Sequence, residues 1–217
     1  MTVAFFPSPV RFVFLPDQSP HSLLPEESIL LSANASPKRR AQFSLGRTAA
    51  RAALEQLGFA EPPPVLRGGH GEPLWPAAVV GSLSHCPSGA AAAVARRGEV
   101  PGLGLDIERL DRELAPATAE RFCNSDELAW VRQHDAVRRA LLVFSAKESI
   151  YKALFPRYRQ FFGFDAVSLT ADEPRTRFIA TLRIDIDREF LSGTTFTVGF
   201  ADIDAAHLLT WTVLERG

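Results

Sequence analysis

Gly102-Leu-Gly-Leu-Asp-Ile-Glu108 is the stretch that organises this chain. Its alternation puts Leu103, Leu105 and Ile107 on one face of a strand and Asp106 with Glu108 on the other. Upstream, Ser36-Pro37 supplies a capping hydroxyl and a proline at the first helical position, so a long helix is predicted over 38–57, stopped by Gly58. Shorter elements flank it: a strand at Arg11–Leu15, a helix at 25–31, a turn at Gly68–Gly71 and a strand at Val79–Ser84. Ala90–Ala95 fits a helix by composition and a strand by its neighbours and length. Downstream, helices are predicted over 117–122, 125–133 and 136–154, the last ended by Phe155-Pro156. Alternating segments at 167–170, 178–185, 195–201 and 207–214 then suggest an antiparallel meander. The reading is an α+β fold of two similar lobes, 1–100 and 101–217, each an antiparallel sheet with a long packed helix.

The 217 residues are 46% hydrophobic and 23% charged, which suffices for a core and excludes a disordered chain. A net charge of −1 argues against a general nucleic-acid binder. No apolar run reaches the ~18 residues of a membrane span. Met1–Val10 lacks the basic flank of a signal peptide, and two cysteines, Cys86 and Cys123, make neither a disulfide framework nor a zinc site. A soluble cytoplasmic protein, a monomer, is expected.

Two carboxylates side by side on a strand repel, and a divalent cation between them resolves the conflict; oxygen-only ligands suit Mg²⁺. The plain alternative for Asp106 and Glu108 is a wet acidic strand face. Glu148 and Lys152, four apart in a helical pattern, share a face, with Lys147 about 100° round. Their plain alternative is a surface salt bridge. Taken together, Asp106, Glu108 and Glu148 would complete a three-carboxylate magnesium site with Lys152 near a phosphate. Ser84 and His85 end a strand and could hold a phosphate oxygen, or form an ordinary loop. Arg40, Ser44, Arg47 and Arg51 form one helical stripe, either a solvated face or an anion site read bidentately. Arg39 would reach such an anion from the flank.

Gly81-Ser-Leu-Ser-His85, Gly104-Leu-Asp-Ile-Glu108 and Phe144-Ser-Ala-Lys-Glu-Ser-Ile-Tyr-Lys152 resemble, in order and separation, the signature blocks of the 4′-phosphopantetheinyl transferases. Lys38–Arg47 and Pro73-Leu-Trp-Pro76 resemble the two-lobed Sfp/EntD-type branch of that superfamily. The resemblance implies Mg²⁺-dependent transfer of the phosphopantetheine arm of coenzyme A to a serine of an apo acyl- or peptidyl-carrier protein, releasing 3′,5′-ADP. It implies Asp106, Glu108 and Glu148 as metal ligands, Glu148 also as the base, and Lys152 beside the pyrophosphate with Lys147 its neighbour. It further implies Ser84 and His85 at the coenzyme A phosphates, and Arg39 and Arg47, with Arg40 beside them, at the 3′-phosphate end. Glu72 departs from the pattern, since its charge would repel a phosphate that many relatives meet with a basic or neutral residue; Arg67 or His70 could take over that contact. Arg157–Phe164 and Glu120–Trp130 are the segments expected to meet the acidic carrier. The rival readings are a Mg²⁺-dependent phosphodiesterase or nuclease, and a module that binds carriers without catalysis.

Overall fold

The computed structural model describes residues 5–114 and 116–215, so the first four residues of the Met1–Val10 stretch lie outside them. The chain divides into two compact units, Met1–Leu103 and Gly104–Gly217.

In the first unit, β1 (Arg11–Pro16), β4 (Val79–Cys86) and β5 (Gly89–Arg96) form an antiparallel sheet in the order β1-β5-β4. A two-stranded ribbon, β2 (Leu66–Arg67) with β3 (Pro73–Leu74), stands beside it in sequence. The ambiguous alanine run is therefore a strand: β5 pairs on both edges, and its ladder outweighs the helical propensity of alanine. Every residue of β5 from Gly89 to Ala95 is buried. The helix α2 (Pro37–Gln56) packs against it with Ala49, Ala50, Ala53 and Leu54, all fully buried. Small side chains on both surfaces bring helix and strand close. Ser36 caps α2 by accepting from the Arg39 amide at 3.2 Å, and Gly58, at φ +100°, turns the chain away after its last turn. A four-residue helix, α1 (Pro25–Ser28), precedes it.

In the second unit, β6 (Gly102–Arg109), β7 (Val167–Asp172), β8 (Arg177–Leu182), β9 (Thr195–Asp202) and β10 (His207–Leu214) make a five-stranded sheet in the order β6-β10-β9-β8-β7. The predicted meander is present, antiparallel throughout β7 to β10. Two short helices, α3 (Pro116–Ala119) and α4 (Ser125–Val131), lead to the long α5 (Ala136–Tyr158). A buried hydroxyl pair, Ser145 Oγ and Thr210 Oγ1 at 2.9 Å, ties α5 to β10. Pro156 does not end α5, against the sequence expectation. It sits within the final turn, whose last hydrogen bond runs from the Arg159 amide to the Phe155 carbonyl with Arg159 in the left-handed region.

Candidate functional site

β6 is buried on both faces as far as Ile107, unlike the half-exposed strand the alternation allowed. Asp106 retains 5% exposure, and the Glu108 carboxylate is half-buried beyond it. Glu148 projects from α5, which β6 touches at Gly104. Burial pushes the Glu148 carboxyl above its ordinary pKa; the Asp106 charge adds to the rise, while Lys152 and Arg112 oppose it. Burial and Asp106 likewise raise Glu108, against the pull of Arg112 and Lys152. Asp106 thus repels both glutamates, and three acids from two separate parts of the sequence share one local field.

Two cations answer that field. Lys152 Nζ donates to Asp106 Oδ1 at 2.7 Å, reaching from helix to strand. This cross-element pair distinguishes Lys152 from a residue of a solvated i,i+4 bridge. Arg112, which the sequence reading passed over, donates from Nη1 to Glu108 Oε1, and its guanidinium stacks 4.9 Å from the centroid of the Phe144 ring. It lies in the loop after β6, where no helical or strand period marks it. Among the described residues, no three His, Cys, Asp or Glu side chains are arranged to hold a metal ion as they stand. The donor set nevertheless fits a hard divalent ion: oxygen donors only, partly buried, two of them biased towards protonation by burial and a neighbouring charge. Lys152 and Arg112 occupy the carboxylates that such an ion would use.

Lys147 does not join this group. It is 4% exposed, and its ammonium donates to Glu127 Oε2 (2.8 Å) and to the carbonyls of Phe122 (2.8 Å) and Phe164 (3.0 Å). Glu127, from the capping box Asn124-Ser-Asp-Glu127, also accepts from the Asn124 and Leu169 amides. The Lys147 ammonium therefore joins α5 to α4 and β7, away from the carboxylates of Asp106, Glu108 and Glu148. The helical 100° offset from Glu148 carries it into the core. The capping box was the available signal for Glu127, and it also removes that residue from any docking role within Glu120–Trp130.

Beside Glu148 opens an apolar pocket of about 240 Å³, lined by Tyr151, Phe161, Phe162, Phe164 and Val167 with Lys147 at its wall. Phe161 is 83% exposed.

In the first unit the structure brings Arg39, Arg47 and His85 together. Arg39 Nη1 lies 3.4 Å from His85 Nε2, and both guanidinium groups approach the Phe43 ring, Arg47 at 4.4 Å and Arg39 at 6.0 Å. Arg47 is 4% exposed; its Nε is buried with no acceptor, and Nη2 makes one long bond, 3.5 Å, to the Leu66 carbonyl. Burial lowers its pKa to about 10, with Glu27 opposing and Arg67, Arg39 and Arg51 adding to the fall. An under-satisfied buried cation among other cations is the electrostatic signature of an anion site. The other two arginines of the predicted stripe are engaged elsewhere in the fold. Arg51 pairs with the fully buried Glu27, and Arg40 donates to the carbonyls of Ser32, Ala33 and Ala35. Ser84 precedes His85 on β4 and so directs its buried hydroxyl to the opposite face, away from this cluster. Glu72 turns inward: its carboxylate accepts from the His70 amide at 3.0 Å and lies over Gly68, bracing the turn between β2 and β3.

The 4′-phosphopantetheinyl transferase N-terminal domain model matches residues 25–95, and the 4′-phosphopantetheinyl transferase superfamily model matches residues 102–201. The 4′-phosphopantetheinyl transferase PptT of Mycobacterium tuberculosis is 36% identical over 203 residues, covering 88% of this chain and 86% of its own. Svp of Streptomyces mobaraensis, also a 4′-phosphopantetheinyl transferase, is 37% identical over 80% of this chain and 71% of its own. Enterobactin synthase component D of Salmonella typhi is 37% identical over 68% and 61%. Among solved structures, the holo-[acyl-carrier-protein] synthase of Thermotoga maritima aligns with 54% of this chain and 65% of its own at 19% identity and a TM-score of 0.43, too slight a likeness to bear on the assignment. On the matches across both units, this chain belongs to the 4′-phosphopantetheinyl transferase superfamily and is an enzyme of its Sfp/EntD-type branch.

Proposed function

We propose that the enzyme transfers the phosphopantetheine arm of coenzyme A to the serine of an apo acyl- or peptidyl-carrier protein, with Mg²⁺, releasing 3′,5′-ADP. The observation that carries the reading is the shared field of Asp106, Glu108 and Glu148, which Lys152 and Arg112 offset only in part, since both glutamates stay above their ordinary pKa. Asp106, Glu108 and Glu148 would hold the magnesium ion, which when bound would neutralise the diphosphate as its bridging P–O bond breaks, the arm's phosphoryl group passing to the serine oxygen and 3′,5′-ADP leaving. Lys152, within reach of Asp106, is placed to steady the same oxygens. The half-buried Glu148, on the helix wall beside the pocket, is the group to take the proton of the attacking serine hydroxyl. The apolar pocket beside Glu148 suits the pantetheine arm, and the exposed Phe161 at its edge suits the apolar part of a carrier surface. Arg39, Arg47 and His85 would receive the 3′-phosphate end, where the under-satisfied Arg47 gains the acceptors it lacks.

The test is incubation with coenzyme A, Mg²⁺ and an apo carrier domain, followed by mass spectrometry of the carrier. A phosphopantetheine adduct that disappears with EDTA is the expected result; an unmodified carrier overturns the reading. Glu148 and Lys152 lie on a helix, not on the single strand a nuclease of the Glu-x-Lys kind would use, so cleavage of nucleic acid is not expected.

A further inference from the structure

Arg112 has no part in the roles assigned so far, yet it sits in the acidic cluster. It donates to Glu108, stacks on Phe144, and its charge acts on both Glu108 and Glu148. The side chain is 39% exposed, so it has room to move. We propose that Arg112 is a diphosphate-binding residue which the divalent cation releases from Glu108. The inference rests on the metal reading given above.

Charge balance gives the reason. Asp106, Glu108 and Glu148 carry three negative charges, and Lys152 and Arg112 carry two positive ones. A divalent ion taking the carboxylates leaves the set at one net positive charge, which attracts a diphosphate. Without Arg112 the loaded set is neutral and the attraction disappears. Geometry agrees: once Glu108 turns to a metal, its bond to Arg112 is broken, while the stacking on Phe144 still holds the guanidinium at the rim. A planar fork so held is suited to two oxygens of a diphosphate.

The experiment is calorimetric titration of coenzyme A into wild type, Arg112→Ala and Arg112→Lys, each in Mg²⁺ and in EDTA. For Arg112→Ala the dissociation constant in Mg²⁺ should rise about tenfold, as expected for one charge-assisted contact. In EDTA, where Glu108 holds Arg112, it should match wild type. Arg112→Lys keeps the charge and should recover most of the affinity in Mg²⁺. Equal affinity of Arg112→Ala and wild type in Mg²⁺ overturns the proposal, and so does equal weakening with and without the metal, which marks a packing effect. Arg112→Lys as weak as Arg112→Ala also overturns it. A wild type that gains nothing from Mg²⁺ strikes the metal reading itself, and the carrier assay separates that failure from a failure of Arg112 alone.

Discussion

A side chain at Gly104 would begin 1.8 Å from the backbone carbonyl oxygen of Ser149, the residue after Glu148. The strand carrying Asp106 and Glu108 therefore touches the helix carrying Glu148 backbone to backbone. Gly104→Ala should cost at the upper end of, or beyond, the ~1–3 kcal/mol of ordinary overpacking, because neither main chain can give way locally. Urea denaturation would read it; wild-type stability in the variant would show that β6 and α5 can part freely.

Glu148→Gln should lower transfer by about 10²–10⁴-fold while the circular dichroism spectrum is retained. Normal turnover would remove Glu148 from the chemistry. The same variant should be more stable than wild type in EDTA near neutral pH. Folding raises the Glu148 pKa, so the folded state binds more protons in the window above the ordinary carboxylate value. Stability therefore falls with rising pH there, and the variant escapes the loss. The difference should vanish as pH drops below the ordinary carboxylate range, which thermal melts across pH would show.

Lys147→Met should destabilise the protein by about 3–5 kcal/mol by leaving Glu127 charged and buried. Adding Glu127→Gln should recover part of the loss, since no uncompensated charge then remains. Denaturant midpoints of the two single variants and the double variant test this; strictly additive losses would contradict the pairing.

Asp187→Asn should weaken the second unit at neutral pH and do little at strongly acid pH. Burial opposes ionisation of Asp187, but the Arg157 hydrogen bond and the Glu189 and Phe190 amides prevail and hold its pKa low. A depressed carboxyl gives stability that is present above its unfolded pKa and lost as pH falls through the folded one. Melting curves from neutral to acid pH should show wild type and variant converging at the acid end.

The sequence was most legible where one residue type has one local job. Ser36 and Pro37 start α2, Gly58 ends it, and the alternation at 167–214 becomes the meander. It misled where tertiary contact decides. Pro156 proved compatible with one more helical turn, whereas the ambiguity at Ala90–Ala95 resolved to the strand that its neighbours and length had favoured. At the candidate site, strand and helix periods were enough to group Asp106 with Glu108 and Glu148 with Lys152, and the structure brings the two pairs within each other's electrostatic reach. The Lys147–Glu127 pair was not legible, because a motif does not say which way each of its members points. Arg112 was invisible, since a loop has no period from which to place a side chain.

The run of small side chains along β5 also governs how this protein can evolve. A methyl surface leaves no conformational slack to absorb a larger neighbour, so β5 and the face of α2 upon it can drift only in concert. Any enlargement there would lift α2 and carry Arg39 and Arg47 with it, disturbing the cluster they form with Phe43 and His85 from a change made well outside it.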